Sequence, residues 1–199
     1  MDLTAEIRKA HRTVGGEGRT HTIVLNRLYP ASPEEVWSAW TEPERLARWF
    51  EPVSGDLHEG GRYRLEDSGT VGTVERCARP RALRVTWEYE GSISAVDLTL
   101  TPAGDETELE LRHEVPDDEH WARFGPAAGG IGWDFSLLPL SMHLAGDPRV
   151  PAEVLEGTEL GNDLTRWAAG EWAAAHEASG AGAATAKEAA ERTLEFYLA

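Results

Sequence analysis

Cysteine is nearly absent. Cys77 stands alone, so no internal disulfide can brace the chain. That suits a reducing compartment, and a cytoplasmic location is expected. No stretch approaches the roughly 18 apolar residues that a spanning helix needs, so no membrane role is expected. The opening MDLTAEIRKAHRTVGG lacks the continuous apolar core of a secretory signal. Basic residues are scarce: 19 Lys and Arg face 35 Asp and Glu, a net charge of −16. The imbalance sits mostly in residues 101–199, with 6 basic and 19 acidic side chains. Such a surface repels phosphate backbones and anionic lipid, so neither nucleic acid nor membrane is an expected partner. Catalytic signatures are missing too. There is no phosphate loop, HExxH, paired CxxC or nucleophile elbow. GPAAGGIG at 125–132 lacks the Lys-Ser/Thr ending of a phosphate loop. No cofactor is implied. His113, Glu114, Asp117, Asp118 and His120 are close in sequence, but adjacent strand residues point to opposite faces, so no metal site is expected.

What is present is apolar pattern. The chain has 199 residues, 41% of them hydrophobic, with eight tryptophans. That suffices for one core plus an annex. Residues 1–19 are polar and broken by Gly15, Gly16 and Gly18, which suggests a flexible arm or a short frayed helix. Thr20 to Tyr29 reads as a strand. Ser32 to Phe50 then reads as two short helices. Ser32 caps the first, with Pro33 in its first turn and Glu35 closing the box; Thr41, Pro43 and Glu44 repeat the pattern. Such short helices need a large apolar partner. From Pro52 to Glu114, period-two alternation runs through about six strands joined by short turns, an antiparallel meander with one dry face. Leu83, Val85, Trp87 and Tyr89 share one parity, and Leu109, Leu111 and His113 another. Gly125 to Gly132 reads as loose, and Trp133 to Leu144 as a helix apolar nearly all round, with Pro139 as a kink or late start. Beyond Gly146 the pattern is helical, broken at Ser179 to Gly182.

The order of strand, helix pair, meander and long helix, with the residues that carry it, resembles the helix-grip fold of the START-like (SRPBCC) superfamily. More narrowly, it resembles the group named for the C-terminal domain of the activator of the heat-shock-protein-90 ATPase. The resemblance rests on Arg27, on Pro30-Ala31-Ser32-Pro33-Glu34-Glu35-Val36-Trp37, on Trp40-Thr41, Pro43, Leu46 and Trp49-Phe50. It continues through Gly60-Gly61, Tyr63, Gly72, Pro80, Leu83, Thr86-Trp87-Glu88, Thr107, Leu109 and Leu111. It implies an α+β fold, a curved antiparallel sheet wrapped around one long helix, over residues 20–145. Residues 146–199 are then a helical extension packed on the domain or on a partner. It also implies a cavity between sheet and helix that takes apolar small molecules.

The residues agree with such a cavity. Tyr63, Trp87, Tyr89, His113, Trp133 and Leu137 are candidate ligand-binding residues, because flat rings on a concave wall suit a small apolar or aromatic ligand. Trp37, Trp40, Trp49 and Phe50 are more simply glue between helix pair and sheet. Three functions remain open on sequence. The first is binding without turnover. The second is a cyclase-like or hydratase-like lyase using His113 or Tyr89 as acid–base. The third is a protein-interaction module, either a chaperone accessory or a homodimer formed through the apolar helix.

Overall fold

The computed structural model describes residues 1–149 and 151–199; Val150, inside the expected extension, lies outside them. In chain order the elements are α1 (Leu3–Ile7), β1 (His11–Glu17), β2 (Thr20–Tyr29), α2 (Pro33–Thr41), α3 (Pro43–Leu46), β3 (Val53–Gly55), β4 (Arg62–Leu65), β5 (Val71–Ala78), β6 (Ala82–Tyr89), β7 (Ser92–Ala103), β8 (Glu106–Pro116), α4 (Glu119–Phe124), α5 (Ala127–Leu144), α6 (Pro151–Leu155), α7 (Glu159–Ala178) and α8 (Ala183–Tyr197). The eight strands form one antiparallel sheet in the order β1-β2-β8-β7-β6-β5-β4-β3. It is the expected helix-grip arrangement, with α5 as the gripped helix. Among the described residues, no helix is long and apolar enough to cross a membrane.

The first helix of the pair forms as its capping residue dictates. Ser32 is extended, its hydroxyl accepts from the Glu35 N–H at 3.3 Å, and Pro33 opens α2. Thr41 does not cap the second helix. It ends α2, and its hydroxyl donates to the Trp37 carbonyl at 2.8 Å; Glu42 precedes α3 without a side-chain cap. The Trp49 indole donates to the Ala39 carbonyl at 3.0 Å, and its ring meets Trp40 edge-on with centroids 4.9 Å apart. These contacts hold the two helices as one unit over the sheet.

Residues 1–19 are not a flexible arm. Leu3 and Ile7 of α1 are buried in a cluster with Leu138 and Met142 of α5, and β1 pairs with β2 from His11↔Asn26 to Glu17↔Thr20. The glycines tighten that hairpin rather than loosening it: a Cβ on Gly16 would lie 2.7 Å from the Thr20 carbonyl oxygen.

The Gly125–Gly132 run is not loose either. α5 already begins at Ala127, so Trp133 lies well inside it. A Cβ on Gly130 would fall 2.2 Å from the Trp172 ring, and one on Gly129 would fall 3.1 Å from Ile23 of β2. The glycines therefore let α5 pass closely between sheet and α7. Pro139 lies inside α5. The helix is apolar all round because α1, α7 and α8 of the same chain cover what the sheet leaves. Trp172 is fully buried, and the Tyr197 hydroxyl donates to the Ala128 carbonyl at 2.8 Å.

One polar residue interrupts this interior. Asp134 of α5 accepts two hydrogen bonds from Arg12 of β1, at 2.5 and 3.1 Å, and a third from the Trp172 indole at 2.9 Å. Arg12 donates further to the Ala10 and Ile7 carbonyls. Burial pushes the Asp134 pKa up, and the hydrogen bonds and charge of Arg12 oppose that shift.

Candidate functional site

Period two places Leu83, Val85 and Trp87 of β6 beside Tyr63 and Leu65 of β4 and Val74 of β5. Trp40 and Leu46 of the helix pair, with Phe50 just beyond it, face them across an apolar cleft of about 130 Å³; no residue of α5 borders it, so it is not the expected cavity between sheet and long helix. That volume is enough for about one ring. The two hydroxyls on its walls are already used: Thr41 donates to the Trp37 carbonyl at 2.8 Å, and Tyr63 to the Thr86 carbonyl at 2.7 Å. Burial raises the Tyr63 pKa further. Gly72 gives the Tyr63 ring room to lie on β5, since a Cβ there would meet it at 2.6 Å. The buried Trp40 Nε1–H has no acceptor among the described residues. Cys77 reaches the rim of the cleft and is exposed.

Trp87 is a wall between two spaces. Its ring packs between Phe50 (6.4 Å) and Trp133 (5.5 Å, edge-on). Beyond it lies a pocket of about 400 Å³, bordered by Trp87, Tyr89, Ser94, His113, Trp121 and Gly129. The histidine there is fully engaged. The Trp133 indole N–H donates to His113 Nδ1 at 3.0 Å, so the ring proton of the neutral form sits on Nε2 and donates to Ser94 Oγ at 2.9 Å. The Ser94 hydroxyl in turn donates to the Trp87 carbonyl at 3.2 Å. Burial pushes the His113 pKa down to about 4. To move a proton, His113 would first have to release Trp133 or Ser94.

The six candidate residues therefore do not line one cavity. Tyr63 and Trp87 share the apolar cleft, while Trp87, Tyr89 and His113 share the larger pocket, where Tyr89 is 47% exposed. Trp133 stands behind both, in contact with Trp87 and His113. Leu137 is buried in the core, its carbonyl accepts from the Tyr29 hydroxyl at 3.1 Å, and it borders neither space. Phe50, Val74 and Ser94 were not foreseen as wall residues. Ser94 could have been found by pairing, since it sits opposite Trp87 in the β6–β7 ladder. Among the described residues, no three His, Cys, Asp or Glu side chains converge on a point that could hold a metal.

Residues 30–137 match the family model described as Activator of Hsp90 ATPase homolog 1-like protein. Among solved structures, the crystal structure of CalU16 from Micromonospora echinospora is 32% identical, covering 84% of this chain and 98% of CalU16, with a TM-score of 0.71. The solution structure of the same protein gives 35% identity, 86% and 97% coverage, and a TM-score of 0.70. That coverage is more of the chain than residues 20–145 make up, so CalU16 shares structure beyond the gripped sheet. An HSP90 activator from Plasmodium falciparum is 22% identical over 65% of this chain and 97% of that one, TM-score 0.53, a likeness of fold alone. No curated protein matches the chain.

Proposed function

Since the chain belongs to the Activator of Hsp90 ATPase homolog 1-like family, we propose that it binds a small apolar or aromatic molecule in the space flanking Trp87, without turnover. The observation that carries this reading is the cleft under the helix pair. Its walls are aliphatic and aromatic, and both of its hydroxyls are bonded to backbone carbonyls. A pocket of that character rewards loss of apolar surface from water and offers little to a polar ligand. A larger ligand would extend past Trp87 toward Ser94 and His113.

The test is retention. Purified protein is exposed to a mixed apolar extract and examined by native mass spectrometry, beside a Val74→Phe variant that fills the cleft. Retained small molecules in the parent and their loss in the variant are expected. Equal retention by both, or none by either, overturns the proposal.

A further inference from the structure

A second cleft lies on the other side of Phe50, where the C-terminal helices meet the gripped domain. It holds about 550 Å³, within the usual range of small-molecule sites. Phe50, Phe135, Pro139 and Leu155 supply apolar walls, and Arg48, Glu156, Asn162 and Thr165 are polar residues that line it. A smaller space of about 310 Å³ adjoins it, sharing Arg48, Pro139 and Pro151 and adding His143, Asp147 and Arg149. Arg48 therefore stands where an apolar chamber opens into a polar one.

The polar chamber is cationic on an otherwise acidic molecule. Arg45 Nε donates to His143 Nε2 at 3.3 Å. Burial, then the nearby Arg45 and Arg48 charges, hold the His143 pKa below its ordinary value against a weaker pull from Glu35, and Arg48 borders the same space as His143. Neither Arg45 nor Arg48 has a carboxylate within salt-bridge distance among the described residues. The neighbouring Asp147 is already taken by Arg149 at 2.5 Å. Glu156 is the carboxylate on the apolar chamber itself. Two like charges gathered beside a neutral imidazole, in a chain of net charge −16, are a favourable place for an anion.

We propose that this cleft binds an apolar carboxylate, with its chain or ring against Phe50, Phe135, Pro139 and Leu155 and its carboxylate on Arg48, backed by Arg45. Arginine suits the role because its planar fork matches a carboxylate. The site is separate from the one flanking Trp87; Phe50 alone borders both.

The experiment titrates the full chain with decanoate and with decanol while amide shifts are followed by NMR. Decanoate is expected to shift Phe135, Leu155 and Asn162 saturably. Arg48→Gln, a change at an exposed residue, is expected to weaken decanoate about ten-fold and decanol less than about two-fold. Asn162→Phe, which fills the cleft without touching a charge, should abolish those shifts. Decanoate shifts confined to Leu83 and Val85, shifts nowhere, or an Arg48→Gln variant that binds like the parent each overturn the proposal. The first of these leaves the reading around Trp87 standing.

Discussion

His113 shows how a residue that suggests catalysis from its parity is held by its neighbours. Both ring nitrogens are bonded, to Trp133 and Ser94, and burial holds its pKa at about 4. A protonated ring would carry hydrogen on both nitrogens and lose the bond from Trp133. The unfolded chain takes up this proton near pH 6.5 and the folded chain near 4, so the unfolded state binds more protons between those values. Stability therefore rises with pH across that window and is lost as pH falls through it. The shift sets an upper bound of about 3 kcal/mol. NMR titration should find the His113 midpoint near pH 4, and chemical denaturation should show a shallower slope between pH 4.5 and 6.5 in His113→Gln than in the parent. A His113 midpoint near 6.5 would contradict the bonded geometry.

At the scale of the element, α5 shows that glycine in a helix does not always mean looseness. A Gly→Ala change in an open helix interior gains about 1 kcal/mol. Gly170 of α7 has open space around it and should follow that rule. Gly130 should not, because its new Cβ would meet Trp172 at 2.2 Å; a loss of about 1–3 kcal/mol is expected from overpacking. Thermal unfolding of the two variants side by side, with opposite signs, is the check. The same helix marks where sequence reading stopped. Capping at Ser32 and period two in β6 and β8 are local, so the first helix of the pair and the meander were legible residue by residue, whereas the expected cap at Thr41 was not formed. The glycines of α5 and of the β1–β2 hairpin answer to Trp172 and Thr20 across the fold, and no local pattern encodes that closeness. The site divides likewise. Parity put Trp87 and His113 on the inner face, but only packing shows Trp87 as a partition and Leu137 sealed beneath it.

The whole molecule closes at Asp134. This carboxylate on the gripped helix takes Arg12 from the N-terminal hairpin and Trp172 from the C-terminal extension, so three distant segments meet at one buried group. Asp134→Ala leaves the Arg12 charge buried without a partner, and a loss of about 3–5 kcal/mol is expected in urea unfolding. Replacing both members, Arg12→Met with Asp134→Leu, should recover much of that loss, because apolar packing substitutes for a buried pair at little net cost. The same convergence bears on whether the gripped domain can stand without its extension. Trp172 covers Gly130, Leu155 and Leu164 cover Leu138 and Met142, and Tyr197 holds the Ala128 carbonyl. A chain ending at Ala145 would expose the outer face of α5 and strip Asp134 of its indole donor. Such a chain is expected to bind a hydrophobic dye and to self-associate on size-exclusion chromatography with light scattering. A cooperative, dye-free monomer from residues 1–145 would show that the extension is an ornament to the core and not part of it.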